Sequence, residues 1–242
     1  MSAHWYKYPT PDEAAAACAK CMLARLEEAL AGPGSATVAV SGGSTPKLLF
    51  QHLAASDFRW DRTHVFWVDE RAVPPTDPQS NYKLAEDYLL KPAKVPHRNV
   101  HRIHAELPPE KAAKLYVEEL IEFFELTPGE FPHFDVIHRG MGADGHTASL
   151  FPGEPLINDR EGLAAAVYVE KLKQLRITLL PAVLLAARHT VMLVAGEDKA
   201  IPVKETFEGP YDPLHHPCQL VSHHGRNVTW FFDEAAASLL GD

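Results

Sequence analysis

A glycine-dense loop in the middle of the chain holds a histidine that could transfer protons. The loop follows an apolar run, and the segment from Phe134 to Pro152 reads FDVIHRGMGADGHTASLFP. Its glycines allow the backbone to lie close to a ligand, since no Cβ stands in the way. After Arg139, only Asp144 and His146 in this segment carry ionisable side chains. Because an imidazole titrates near neutral pH, we predict that His146 acts as a general acid or base.

The same loop admits a second interpretation as a dinucleotide site. Gly140–Gly145 reads GMGADG and satisfies the G-x-G-x-x-G fingerprint, which requires a strand before it and a sustained helix after it. Pro152 follows seven residues after Gly145. Any helix here is therefore limited to about two turns. For that reason we favour a catalytic role for His146 over nucleotide binding.

A second glycine-rich loop follows the apolar strand predicted at Thr37–Val40. It reads SGGST, and Pro46 stands at the predicted start of the next helix. Backbone amides at a helix amino terminus bind phosphate or carboxylate groups, and hydroxyl groups add further donors. The alternative is an ordinary capped helix with a tight turn. The loop lacks the Walker A pattern, so ATP hydrolysis is not implied. The candidate anion-binding residues are Ser41, Gly42, Gly43, Ser44 and Thr45.

Charged residues follow two further strand patterns. Asp69 and Arg71 belong to a DER segment directly after the strand predicted at His64–Val68. Lys199 lies beyond the strand predicted at Thr190–Ala195, about one turn into the next helix. A phosphate or carboxylate ligand would suit both cations, although each could instead be a solvated surface residue.

The order of the patterns predicts the fold class. Apolar strands centred on Val38, Val65, Val136 and Val191 alternate with helical patterns, of which the first spans Pro11–Ala31. This alternation predicts a single three-layer αβα domain over all 242 residues, with a mainly parallel, Rossmann-like sheet. The carboxyl ends of parallel strands meet at one edge, where ligands bind in such sheets. The four loops together therefore predict a site for a small phosphorylated metabolite.

Composition restricts the classes of partner. The chain has 23 basic and 32 acidic residues and a net charge of -9. This balance argues against nucleic-acid or acidic-membrane binding, which needs an excess of Lys and Arg. The chain also lacks an apolar signal segment and any run of about 18 apolar residues. We therefore expect a cytoplasmic protein, either a monomer or a small homo-oligomer, without nucleic-acid or membrane partners.

The cysteines and histidines do not predict a metal site. Cys18 and Cys21 form a C-x-x-C on the first helix, where we expect them to pack as small hydrophobes. Three cysteines make a poor disulfide framework and fit a reducing compartment. A denser group of soft ligands comprises His215, His216, Cys218, His223 and His224. Its spacing matches no zinc pattern, so we predict solvated histidines in a loop, and we predict neither a metal nor a cofactor.

Five ordered blocks resemble the 6-phosphogluconolactonase family, within the superfamily that includes glucosamine-6-phosphate deaminase and isomerase. The blocks are Ser41–Leu49, Trp67–Lys83, Gly140–Gly153, Arg176–Arg188 and Gly196–Ala200. The deaminase branch typically has D-E-Y where this chain has D-E-R, and N-E-P where this chain has S-L-F-P. Both differences favour the lactonase branch. An amino-sugar-phosphate isomerase or deaminase, a nicotinamide enzyme and a catalytically silent sugar-phosphate sensor remain alternatives.

The resemblance implies hydrolysis of 6-phospho-D-glucono-1,5-lactone to 6-phosphogluconate. His146 would activate water, and Asp144 would orient the imidazole or a substrate hydroxyl, or only shape the loop. No metal is needed, because a strained ester requires a weaker nucleophile than an amide does. Further ligands of the substrate would be the glycine-rich loop at Ser41–Thr45 and the residues Asp69, Arg71, Arg176 and Lys199.

Arg139 departs from the resemblance, because the strand before the glycine loop is usually fully apolar. Its guanidinium could either add a cation near the site or point outward from the end of the strand. We favour the outward orientation.

Overall fold

The computed structural model describes residues 4–241, apart from the side chain of Ser44. The strands are β1 (His4–Tyr8), β2 (Ala36–Val40), β3 (Thr63–Trp67), β4 (Asp69–Arg71), β5 (Val100–His101), β6 (Val136–Arg139), β7 (Ala164–Val169), β8 (Gln174–Leu179), β9 (His189–Val194) and β10 (Val228–Asp233). The α-helices are α1 (Pro11–Leu30), α2 (Ser44–Ala54), α3 (Asn81–Ala85), α4 (Pro109–Phe124), α5 (Pro181–Ala186), α6 (Ala200–Glu208) and α7 (Cys218–His224). A π-helical segment at Glu86–Leu90 continues α3.

Seven parallel strands form the central sheet, in the order β1, β10, β9, β6, β2, β3, β5. Strand β2 is buried along its whole length, as expected for a parallel strand covered on both faces. From β2 the chain proceeds through β3 to β5 at one edge, and from β6 it proceeds through β9 to β10, beside which β1 forms the other edge. The strand order therefore reverses between β2 and β6, where ligands bind in sheets of this kind. The predicted fold class is confirmed.

The first helix shows how local sequence sets an element. Thr10 caps α1 through its side-chain oxygen, which accepts a hydrogen bond from the backbone N–H of Glu13 over 3.2 Å. Such a cap satisfies one of the amides that lack a partner inside the helix. Cys18 is fully buried on α1, which confirms its predicted role in packing. Cys21 is partly exposed.

A smaller antiparallel sheet of β4, β8 and β7 lies beside the central sheet and was not predicted. Strand β4 begins after a single intervening residue, Val68, so the end of β3 leads directly into it. In the β4–β8 register, Asp69 lies opposite Thr178 and Arg71 lies opposite Arg176. The second sheet thus carries Arg176 to the edge of the central sheet where the strand-end loops meet.

The predicted outward orientation of Arg139 is wrong. Strand β6 pairs with β2 on one side and β9 on the other, and Arg139 is only 2% exposed. Because the strand is central, neither face of the sheet offers the side chain a direct path to water. Burial lowers the pKa of Arg139 to about 10. The neighbouring residue on the opposite face, His138, is fully buried as well.

Two elements near the ends of the chain were not predicted. Strand β1 adds to the edge of the central sheet beside β10. His223 and His224 lie in α7 rather than in a loop, and the Tyr211 hydroxyl lies 2.8 Å from Nε2 of His224. His215 and His216 precede this helix. The prediction of a histidine-rich loop is therefore wrong for the second half of that segment.

Within residues 4–241, no group of three or more His, Cys, Asp or Glu side chains is arranged to bind a metal ion. No helix in the same range has both the length and the apolar character needed to cross a membrane.

Candidate active site

The loops after β2, β6 and β9 meet β4 and β8 around one cavity of about 190 Å³. Nine of the eleven residues predicted for the site line it: Ser41, Gly42, Gly43, Thr45, Asp69, Arg71, His146, Arg176 and Lys199. Ser44 begins α2, and its side chain lies outside the described part of the chain. Asp144 lines a neighbouring groove rather than the cavity and contacts His146 from that side.

The loop after β2 forms one wall of the cavity and ends at the amino terminus of α2. Gly43 stands at the N-cap with φ of 117°, a left-handed conformation that favours glycine. Within the described residues, the hydroxyl of Ser41 is buried and has no hydrogen-bond partner. An unpaired buried hydroxyl is costly, and a bound anion would satisfy it together with the free amides of the helix end.

Gly42 is required by a close approach of Asn81, a cavity-lining residue that was not among the predicted site residues. A Cβ at Gly42 would lie 1.8 Å from Oδ1 of Asn81. The side-chain amide nitrogen of Asn81, Nδ2, donates a hydrogen bond to the backbone oxygen of Asp69 over 2.8 Å. Its Oδ1 is buried and unpaired among the described residues, which leaves an acceptor for a ligand hydroxyl. The N-cap of α3 is Ser80, whose hydroxyl accepts a hydrogen bond from the backbone amide of Lys83.

Two arginines, from β4 and β8, form a second wall of the cavity as a cross-strand pair. Arg71 and Arg176 face each other in the β4–β8 ladder, and both line the cavity. Burial lowers the pKa of Arg176, Asp69 opposes this effect, and the charge of Arg71 reinforces it. Like charges directly opposite each other destabilise a sheet. A bound anion between the guanidinium groups would remove that repulsion, so the pair is electrostatically prepared for phosphate.

Asp69 and Glu70 hold this wall in place. Asp69 accepts a hydrogen bond from the Ser149 hydroxyl over 2.6 Å and lies 3.8 Å from a guanidinium nitrogen of Arg176. Glu70 is 2% exposed, and its carboxylate accepts hydrogen bonds from the Ser80 hydroxyl and from three backbone amides, including that of Asn81. The two carboxylates therefore fix the arginine wall and the start of α3 relative to each other.

A third cation reaches the cavity from the loop after β9. Lys199 ends the 3-10 segment Glu197–Lys199, and its side chain is 18% exposed. Its ammonium pairs with Asp198, whose side chain is largely exposed. Because that partner lies at the surface, the lysine can exchange it for a ligand oxygen at little electrostatic cost.

His146 and Asp144 form a hydrogen-bonded pair at the rim. The Nδ1 atom of His146 lies 2.6 Å from Oδ1 of Asp144. Burial favours the neutral form of Asp144, but hydrogen bonds from His146 and Lys171 outweigh it and hold the pKa of this carboxyl well below its usual range. An ionised carboxylate can only accept, so Nδ1 must carry the proton. That tautomer leaves the lone pair of Nε2 available to the cavity, as a general base requires.

Two neighbours fix the orientation of the imidazole. The ring of Phe151 stacks on that of His146 with 4.0 Å between centroids. On another side, a Cβ at Gly142 would lie 2.0 Å from Nδ1. Residues 141–154, all of them described, form turns and one isolated bridge instead of the helix that a dinucleotide site requires. The glycines of this loop make room for the imidazole, and the structure does not favour the nucleotide interpretation.

The sequence prediction missed four residues that complete the site. Asn81 and Ser149 contact Asp69, Phe151 packs on His146, and Lys171 contacts Asp144. Ser149 and Phe151 lie within the block that carries His146, so their position in the sequence was an available signal. Asn81 likewise lies within the block Trp67–Lys83, whereas Lys171 lies outside all five blocks and reaches the site only through long-range folding.

An αβα sheet with a cationic cavity and a carboxylate–histidine pair at its switch point defines a class of enzyme site for small anionic substrates. Comparison with known proteins identifies the family within that class. Residues 9–230 match the family model described as glucosamine-6-phosphate isomerases/6-phosphogluconolactonase. The chain belongs to this family, and the predicted resemblance is confirmed.

Three individual relatives are named 6-phosphogluconolactonase, which is one of the two branches of the family. The chain is 38% identical over 221 residues to 6-phosphogluconolactonase of Synechocystis sp., with 91% of each chain covered. It is 36% identical over 244 residues to human 6-phosphogluconolactonase, covering 96% of this chain and 92% of that protein. The solved structure of 6-phosphogluconolactonase from Trypanosoma brucei superimposes with a TM-score of 0.90 at 25% identity, with 100% of both chains covered. The relatives thus bear the name of a lactone-hydrolysing enzyme.

Proposed function

We propose that the chain hydrolyses 6-phospho-D-glucono-1,5-lactone to 6-phospho-D-gluconate, the second step of the oxidative pentose phosphate pathway. The observation that carries the proposal is the hydrogen bond between Asp144 and Nδ1 of His146, which leaves Nε2 as a base beside a cavity with three cations. The names of the relatives support the same substrate. A phosphate and a hydrolysable carbonyl on one small molecule match the cations and the base that line the same cavity.

In the first step, Nε2 of His146 takes a proton from a water molecule as the water oxygen bonds to the lactone carbonyl carbon. The carbonyl oxygen then carries the negative charge of a tetrahedral intermediate. Asp144 stabilises the imidazolium that forms and keeps its ring in the required tautomer. Phe151 and Gly142 enclose the ring and restrict its movement during this step.

In the second step, the intermediate collapses and the bond between the carbonyl carbon and the ring oxygen breaks. The imidazolium returns its proton to the departing ring oxygen, which becomes a hydroxyl group of the open-chain product. The new carboxylic acid ionises at neutral pH, so one proton is released for each lactone hydrolysed. This stoichiometry provides the assay.

The cations bind the phosphate and stabilise the developing oxyanion. We assign phosphate binding and oxyanion stabilisation jointly to the backbone amides of the loop at Ser41–Thr45 and to Arg71, Arg176 and Lys199. Asp69 would repel a phosphate, since both are negatively charged. We therefore assign Asp69, with Oδ1 of Asn81, to the hydroxyl groups of the sugar and to holding Arg176.

The test is a proton-release assay on freshly generated lactone in weak buffer. The lactone also hydrolyses spontaneously, so only the part of the rate that is proportional to enzyme concentration counts. We expect saturable, enzyme-proportional release. A parallel measurement of ammonia from glucosamine 6-phosphate examines the other branch of the family. Ammonia release without lactone hydrolysis would overturn the proposal.

A further inference from the structure

A lysine at the tip of the β7–β8 hairpin contacts the Asp144–His146 pair from outside the cavity. Lys171 lies in the 3-10 turn Glu170–Leu172, and its Nζ donates to Oδ2 of Asp144 over 2.8 Å. The other carboxylate oxygen, Oδ1, accepts from Nδ1 of His146 at 2.6 Å. Each oxygen has its own partner, so the carboxylate cannot rotate without losing one of the two hydrogen bonds.

We propose that Lys171 is a positioning residue for the general base and acts through Asp144. The proposal rests on the lactone hydrolysis proposed above and deepens it. Lys171 lines the groove behind Asp144, together with Phe151 and Tyr168, rather than the cavity that would hold the substrate. Its influence on the reaction therefore passes through the carboxylate and the imidazole.

The hairpin gives this contact a second consequence. Strand β8 carries Arg176 into the cavity and pairs with β4, which carries Arg71. The same hairpin thus holds the anion-binding wall at one end and the support of the base at its tip. Lys171 therefore links the carboxylate that supports the base to the hairpin that carries Arg176.

The positive charge of Lys171 has an effect on the imidazole of His146 that can be measured. The other charged or titratable groups around the pair are Glu154, Tyr168, Glu170, Cys218, Asp69, Arg71, Arg176 and Lys199. Burial raises the pKa of the Cys218 thiol to about 12, so it is neutral at working pH. Of the cations, Lys171 is the one hydrogen-bonded to Asp144 in the described structure. Its removal takes a positive charge away from the imidazole, which then accepts a proton at higher pH.

The test compares Lys171→Met with the matched control Lys173→Met. Lys173 lies in the same turn, is exposed, and makes no ion pair within residues 4–241. Lys171 is itself 65% exposed, so its effect is that of a surface ion pair. For Lys171→Met we expect kcat to fall about two- to fivefold with KM unchanged. The acid limb of the kcat/KM profile is expected to move to higher pH. Lys171→Arg is expected to restore both, and Lys173→Met to behave as wild type.

A substrate-free measurement separates this inference from the proposed function. Titration of the His146 ring by NMR is expected to show a higher midpoint in Lys171→Met than in wild type or Lys173→Met. If the wild-type chain does not hydrolyse the lactone, the proposed function fails while this titration still decides the role of Lys171. An unchanged titration midpoint together with an unchanged acid limb in Lys171→Met overturns the inference.

Discussion

Gly142→Ala is expected to displace the His146 imidazole without unfolding the chain. The backbone of Gly142 lies outside the left-handed region, so alanine is conformationally allowed there. The added Cβ, however, would lie 2.0 Å from Nδ1 and 2.1 Å from Cε1 of His146, and 2.8 Å from Oδ1 of Asp144. The substitution is therefore directed at the catalytic pair itself.

The size of the effect follows from the geometry. Ordinary van der Waals contact begins at 3.4 Å, so the ring must withdraw by about 1.4 Å, the difference between 3.4 and 2.0 Å. Because the same Cβ also lies too close to Oδ1 of Asp144, we expect the 2.6 Å hydrogen bond between the two side chains to be lost. A misplacement of about 1 Å typically costs about 100-fold in rate, so we expect kcat to fall by about that factor or more.

Gly32→Ala is the matched control, because it adds the same methyl group at a glycine that does not line the cavity. A Cβ at Gly32 would meet no atom of the described residues within 4 Å. We expect this variant to keep most of its lactone hydrolysis, and both variants to unfold at nearly the wild-type temperature. Near-wild-type kcat in a folded Gly142→Ala protein would refute the argument that catalysis needs the imidazole in its observed position.

Two further perturbations examine other parts of the account. Arg71→Met is expected to weaken competitive inhibition by inorganic phosphate about tenfold or more, since a charge-assisted hydrogen bond is lost. Arg188→Met, at a side chain that is 67% exposed, serves as its control, and an unchanged inhibition constant in Arg71→Met contradicts the assignment. Burial lowers the pKa of His138 to about 3. The unfolded chain therefore binds a proton below about pH 6.5 that the folded chain does not, and stability is lost as the pH falls. In urea unfolding from pH 6 to pH 4, wild type is expected to lose up to about 1.4 kcal/mol per pH unit more than His138→Leu. If the free energy of unfolding falls equally with pH in wild type and in His138→Leu, His138 does not cause this loss of stability.

The convergence of the loops was predictable because it follows from strand direction. Parallel strands place their carboxyl ends at one edge, so the positions of Ser41, His146 and Lys199 after apolar runs were enough to bring them together. The cap of α1 at Thr10 was equally local. Strand direction and helix capping can both be inferred from local sequence patterns, so these features were predictable without knowledge of the tertiary structure.

The remaining features depend on long-range pairing that a single sequence does not display. Arg176 reaches the cavity only because β8 pairs with β4 in one register, and a slip of one residue would turn it to the opposite face. Asn81 is positioned by Asp69 and packs against Gly42. Arg139 was misplaced because the end of a strand was taken to be a surface, whereas β6 is central and covered on both faces.

The most direct test of the central claim is lactone hydrolysis by His146→Ala. If Nε2 of His146 is the general base, kcat falls about 10²–10⁴-fold, the usual contribution of positioned acid–base catalysis. The control is His104→Ala, whose side chain is 48% exposed and lies outside the cavity, and it is expected to match wild type. A folded His146→Ala protein with near-normal, enzyme-proportional proton release would contradict the account.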